Sequence, residues 1–231
     1  MESQEIYTQQ KEFLKDFLKD IEKMDIEENN VFYNNYKQII KSQFIIMLYT
    51  FLESVIMQSL QDIFDDIKQT KICFHNLKDE VKKIYIKAKI KNKERHFNQI
   101  VAEDLIEVIK KLSGGKVDID LKKDFTNENP FNAGALNYQN IDNYIIKNFV
   151  LKNIDIDGYN KIFKIGIQEK IKENTENRNK LAHGEISFQD FGKNITIKEL
   201  RIRYLSIVIY LYRYLKSVEN YINNKGYKDG C

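Results

Sequence analysis

From Ile39 to Ile67 the apolar residues fall on more than one face of a helical wheel: Ile39, Ile40, Phe44, Ile45, Met47, Leu48, Phe51, Leu52, Val55, Ile56, Leu60, Ile63, Phe64 and Ile67. No glycine or proline interrupts them. A helix that is apolar nearly all round has to be covered by other elements. The stretch therefore predicts a strut running to about Lys68, either central to a helical bundle or set against a second copy of the chain. Elsewhere breakers are scarce, with one proline (Pro130) and nine glycines in 231 residues. That scarcity reads as mostly helical, and 231 residues can form one good core or at most two small ones; the expectation is an all-α, antiparallel helical bundle in a single domain over residues 1–231. Glu53 interrupts the stripe; it points outward or pairs locally, with partnership to a buried arginine as the alternative.

The other segments follow the same period. Ile6, Phe13, Leu14, Phe17, Leu18 and Ile21 make an amphipathic helix from about Ser3 to Met24. Cys73 and His75 lie in a link to a basic helix, Leu77 to Ile90, which carries Lys78, Lys82, Lys83, Lys87 and Lys89. Such a run is a solvated face first and a phosphate-contacting surface second. A helix from about Asn98 to Leu112 stops at Ser113-Gly114-Gly115 and opens an irregular insertion, residues 113–136, with a short alternating run, Val117 to Leu121, that fits a strand. Helices are expected again over Tyr138 to Val150 and, after Asp157-Gly158, over Tyr159 to Ala182. A loop, Glu185 to Asn194, leads to Thr196-Ile197-Lys198-Glu199, which has capping-box spacing. The last helix, to about Ile222, carries the stripe Leu200, Tyr204, Ile207, Val208, Leu211, Tyr212, Leu215 and Val218. The short connection predicts that it folds antiparallel against the helix before it.

Many chemistries lack their parts. There is no glycine-rich phosphate loop, no carboxylate cluster at metal-ligand spacing and no G-x-S-x-G turn. His75 and His96 have no Cys or His at ligand spacing, so neither a metal nor another cofactor is expected. Cys73 and Cys231 do not make a disulfide framework. The N-terminal segment is polar and acidic, unlike a signal peptide, and the longest apolar run, Phe44 to Leu52, is short of the roughly 18 residues a spanning helix needs. A cytoplasmic protein with no membrane association is expected. A net charge of +3 permits nucleic-acid binding without arguing for it.

One string stands apart from the scaffold: Glu176-Asn177-Arg178-Asn179-Lys180-Leu181-Ala182-His183-Gly184. At helical spacing Ile167, Ile171, Asn174, Arg178 and Leu181 share one face, and the face turns polar at Asn174. A guanidinium on that stripe must reach water, a partner or a shared cleft. Arg178 and His183 are five residues apart, ~140° of rotation on a straight helix, so they share a face only if the helix ends between them. Gly184 supplies that end by taking the left-handed conformation. A second interpretation has Arg178 capping the last turn and His183 satisfying the terminal carbonyls.

The string R-N-K-L-A-H-G-E, set between helices, resembles the HEPN superfamily of small α-helical proteins, and within it the bacterial HEPN-like nucleases of toxin and defence systems. The motif of that branch is Arg, a polar residue, three to five variable residues, then His; Arg178, Asn179 and His183 match it, most specifically within about residues 137–223. The resemblance implies a homodimer whose two motifs meet in one cleft. An imidazole, a fixed cation and an amide suit metal-independent RNA cleavage, in which the 2′-hydroxyl attacks the adjacent phosphate and leaves a 2′,3′-cyclic phosphate. One histidine cannot readily serve both as base at the attacking oxygen and as acid at the leaving oxygen, whereas two copies can. The expected roles are His183 as general acid/base, Arg178 as clamp on the transition state and Asn179 as an orienting partner. Glu176 and Glu185 are weaker candidates for tuning Arg or His by charge. The expected partners are RNA, a second copy of the chain and a cognate antitoxin or regulatory protein. The alternative is a non-catalytic HEPN-type module binding RNA, a nucleotide or a partner protein. A third option, the neutralising member of a toxin pair, sits poorly with an intact Arg and His.

Overall fold

The computed structural model describes residues 1–26, 31–91, 117 and 166–229. They form α1 (Glu2–Ile26), α2 (Val31–Gln69), a 3-10 turn (Phe74–Asn76), α3 (Asp79–Lys91), α4 (Ile167–Ala182), α5 (Phe188–Asn194) and α6 (Ile197–Asn223). Among the described residues there is no strand, only an isolated bridge between Leu77 and Lys228. The expected helices over 98–112 and 138–150 and the insertion at 113–136 lie outside the described residues, except Val117. The chain divides into two compact units: Met1–Ile56 with the described part of Ile154–Leu215, and the described parts of Met57–Asn153 and Lys216–Cys231.

In the first unit α1 buries Leu14, Leu18 and Ile21. Phe17 stacks on Phe44 and Tyr7 on Phe51, with centroids 6.1 and 5.9 Å apart. Numbers rise along α1 as they fall along α2, so the two are antiparallel. Phe13, read as part of the buried stripe, is 59% exposed. The outer face of α1 is laced by three-residue ion pairs such as Lys19–Asp16. Against α6, the Tyr7 hydroxyl donates to the Val208 carbonyl and the Tyr204 hydroxyl to the Lys11 carbonyl, again antiparallel.

The pairing of α4 with α6 corrects the sequence expectation. Ile45 and Tyr49 of α2 meet Asn174 and Arg178 of α4 in the same order, so α4 runs parallel to α2. Both α4 and α6 therefore run parallel to α2, and hence to each other; they touch where Arg203 binds Glu173 at 3.0 Å. The connection is short in sequence but long enough in space: α4, at 16 residues, spans ~24 Å, which seven or eight extended residues can retrace. Its return runs along α2, where the Ser42 hydroxyl donates to the Phe188 carbonyl and Lys41 to the Ile195 carbonyl.

The supposed loop 185–194 contains α5. Ser187 caps it, its Oγ accepting the Asp190 N–H at 3.0 Å. Gly192 is required there, because a Cβ would lie 1.8 Å from the Gln38 carbonyl oxygen of α2. Two further readings shift. Gly166, with ψ of 80°, is the non-helical N-cap of α4, which begins at Ile167; residues 159–165 of the helix expected from Tyr159 lie outside the described residues. Tyr212, read into the stripe of α6, is 46% exposed, while Leu200, Tyr204, Ile207, Leu211, Leu215 and Val218 are buried as expected. The capping box forms: the Thr196 N–H donates to Glu199 Oε2 and the Glu199 N–H to Thr196 Oγ1. Those bonds hold the Glu199 carboxyl below its usual range.

In the second unit the C-terminal half of α2 buries Leu60, Ile63, Phe64 and Ile67. The tail after α6 is fastened to it, as Lys225 binds the Asp66 carboxylate at 2.7 Å and the Tyr227 hydroxyl donates to the same group. The Lys78 N–H donates to the Tyr227 carbonyl. The basic helix starts at Asp79, two residues later than read, behind the 3-10 turn. Val117, from the expected strand, is buried and donates to the Ile72 carbonyl at 3.4 Å.

By length and composition one helix among the described residues, Tyr33–Gln69, is long and apolar enough to cross a membrane, and 61% of its most apolar window is buried inside the protein. Counting uninterrupted apolar residues missed this, because isolated polar residues such as Ser42, Glu53 and Ser59 break the run without changing the helix.

Candidate functional site

The site is built upward from Asn174. Its side chain is fully buried on α4 and donates to the Ile45 carbonyl of α2 at 3.3 Å, while its Oδ1 is sealed in with no hydrogen bond. Four residues further along both helices, the Arg178 guanidinium carbon lies 4.6 Å from the centre of the Tyr49 ring. Tyr49 is 1% exposed and Arg178 half-buried, a partly desolvated cation–π contact of ~1–2 kcal/mol. Arg178 Nη1 also donates to Asn179 Oδ1 at 3.1 Å. Its other N–H groups bond nothing among the described residues and are not sealed from solvent. Among the described residues the aromatic face of Tyr49 and the Asn179 carboxamide hold the Arg178 cation.

Helix α4 then ends as its glycine demands. Gly184 has φ +71°, the Gly184 N–H donates to the Leu181 carbonyl and the Glu185 N–H to the Lys180 carbonyl, the paired bonds of a Schellman end. His183 occupies the C-cap. Its imidazole is exposed and makes no hydrogen bond among the described residues. Among the described residues backbone N–H groups bond the terminal carbonyls, and neither the Arg178 nor the His183 side chain does so.

Of the five candidates, Arg178 and Asn179 are in contact. His183 stands beyond them at the helix end, with no bond to Arg178 within one chain. Glu176 faces Lys172 at 3.9 Å and Glu185 is exposed, so neither approaches Arg178 or His183 through an ion pair or hydrogen bond among the described residues. Among those residues no three His, Cys, Asp or Glu side chains gather to hold a metal ion. Sequence reasoning missed Tyr49. The available signal was a tyrosine inside an otherwise aliphatic and phenylalanine stripe, where a ring with an amphipathic edge invites a polar neighbour.

Among the described residues the chain is all-α, a helical scaffold that carries Arg178 and His183 near one helix end. A family profile, HEPN_MAE_28990-like HEPN, matches residues 3–227, and the chain belongs to that HEPN family. No curated protein and no solved structure matches it.

Proposed function

We propose that the protein is a metal-independent endoribonuclease of toxin or defence type, working in the cytoplasm as a homodimer. Membership of a HEPN family supports a HEPN-type module. The observation that carries the step to catalysis is the state of Arg178: a half-buried cation held by a ring and an amide, paired with no carboxylate among the described residues and not sealed from solvent, on the helix that ends in the exposed imidazole of His183.

In the proposed reaction the ribose 2′-oxygen attacks phosphorus as a base takes its proton. The P–O5′ bond breaks, and the leaving oxygen receives a proton from an acid. Products are a 2′,3′-cyclic phosphate and a 5′-hydroxyl. His183 of one protomer serves as base and the same residue of a second copy as acid. Arg178 stabilises the charge on the non-bridging oxygens, and Asn179 orients it. Glu176 and Glu185 act only through the field they add. A cognate antitoxin or regulatory protein would restrain the activity.

The test is incubation of the purified protein with RNA in EDTA. Cleavage leaving 2′,3′-cyclic ends is expected, lost in His183→Ala and Arg178→Ala with the oligomeric state of wild type retained in light scattering. Intact RNA with wild type across the neutral pH range would overturn catalysis and leave the other reading, a non-catalytic module that binds RNA, a nucleotide or a partner protein.

A further inference from the structure

We infer that Tyr49 is the positioning residue of the site: its buried ring, reached from α2, fixes the plane of the Arg178 guanidinium so that the cation's unbonded edge is held ready for a phosphate. The inference rests on the endoribonuclease proposal for its consequence, though not for its geometry. Arg178 has two contacts within the described residues, the Tyr49 ring at 4.6 Å and Asn179 Oδ1 at 3.1 Å. The second alone cannot set a plane, because Asn179 adjoins Arg178 on the same helix and is itself half-buried. Tyr49 is nearly inaccessible, on a helix whose neighbours Leu48, Phe51 and Leu52 are also buried, so its ring cannot turn to follow a moving side chain.

Register comes from Asn174. Its bond to the Ile45 carbonyl sits one helical turn before the Tyr49–Arg178 contact on both α2 and α4. A slip of α4 along α2 would break that bond and carry Arg178 off the ring. The ring face does this work, and a planar guanidinium answers to it as an ammonium does not. Chemically, an arginine so held meets the non-bridging oxygens without first giving up rotamer freedom, and loss of such placement reduces turnover more than substrate affinity.

The experiment compares Tyr49→Phe with Tyr49→Leu in the RNA-cleavage assay and by NMR of the Arg178 Nε–H group in the full-length protein. Tyr49→Phe keeps the ring, and its kcat is expected within about threefold of wild type. Tyr49→Leu is expected to lower kcat about 100-fold with KM changed no more than about threefold, in a protein whose circular dichroism shows it folded. In wild type and Tyr49→Phe the Nε–H proton is expected upfield of a free arginine through the ring current, and in Tyr49→Leu that shift disappears. The inference is overturned if Tyr49→Leu retains the shift, or if a cleaving wild type and Tyr49→Leu turn over equally. If Tyr49→Leu does not fold, Tyr49→Phe and Arg178→Lys carry the decision: rescue by Phe with loss in Lys supports the ring, and loss in Phe overturns it. A wild type that cleaves no RNA refutes the endoribonuclease proposal, while the proton shift still decides whether Tyr49 holds Arg178.

Discussion

Two arginines on neighbouring helices of the first unit, Arg178 on α4 and Arg203 on α6, are solved in opposite ways. Arg203 is 7% exposed and pairs with the Glu173 carboxylate at 3.0 Å, yet its Nε and Nη1 are sealed from solvent without a hydrogen bond. Burial draws its guanidinium below the ordinary value, and Glu173 and Glu199 oppose that. Arg178 has no carboxylate among the described residues; a ring and an amide orient it, and its remaining N–H groups are not sealed from solvent. A cation already neutralised by a carboxylate has little left to offer a phosphate. The lesson is that the carboxylate partner, more than burial, separates an arginine that holds a fold together from one that is kept for a ligand.

The largest expected effects test that separation directly. Glu173→Ala leaves a desolvated guanidinium without its ion-pair partner, with only the more distant Glu199 charge opposing, and is expected to cost ~3 kcal/mol of stability, toward the low end for a broken buried pair because Glu173 is partly exposed. Cleavage per folded molecule is expected to stay as in wild type. Arg178→Ala is expected to do the reverse: a loss of ~2 kcal/mol or less, from the forfeited cation–π contact and one hydrogen bond, with cleavage reduced about 100-fold or more. Urea midpoints and initial rates on the same preparations check both. If Glu173→Ala loses cleavage while remaining folded, or Arg178→Ala unfolds the protein while sparing cleavage, the comparison is broken.

How much of this could be read beforehand follows from what each feature depends on. The α2 strut, the capping box at Thr196 and Glu199 and the glycine end at Gly184 depend on residues within a turn or two of each other, and all three formed as read. Helix α5 had its own local signal, Ser187 three residues before Asp190, which was legible and passed over because the segment is short and polar. The parallel course of α4 and α6 depends on Gly192 lying flat against Gln38, a meeting of residues far apart in sequence, and connection length alone gave the wrong direction. For the site the same division holds. Arg178, Asn179 and His183 declare themselves in one string. Tyr49, 129 residues before Arg178, is revealed only when α2 and α4 pack in register. Glu176 and Glu185 were drawn in by nearness in sequence, which on a helix says little about nearness in space.

Alkaline pH sharpens the comparison from the structural side, because Tyr204, next to Arg203 in sequence, bonds α1 while Arg203 bonds α4. Burial and nearby carboxylates push Tyr204 from 10.0 up to about 12, and burial and nearby charges push Tyr7 likewise from 10.0 to about 12. Both hydroxyls donate to carbonyls across the α1–α6 seam and lose that bond on ionising. A group whose folded pKa is raised gives stability that is complete below its unfolded value and lost as pH climbs through the folded one. The thermal midpoint is therefore expected to hold up to about pH 10 and fall between there and pH 12, with the fall reduced in Tyr7→Phe and Tyr204→Phe. An equal fall in both variants would remove these hydroxyls from the account.

A third arginine supplies the control with the smallest expected effect. Arg201 lies two residues before Arg203, and its Nε and Nη2 both donate to Glu22 Oε1 at 3.2 and 2.7 Å, so by distance it is as well paired as Arg203. Its side chain is 56% exposed, however, so the carboxylate takes little desolvation penalty away and salt screens what remains. Arg201→Ala is expected to change stability by only ~0.5 kcal/mol at low ionic strength, shrinking further in high salt, with cleavage unchanged. Arg201, Arg203 and Arg178 then form a graded set: paired and wet, paired and dry, unpaired and half-dry. If the salt-sensitive loss at Arg201 matched the loss in Glu173→Ala, exposure would carry no weight in deciding what a paired arginine contributes, and the contrast with Arg178 would rest on the carboxylate alone.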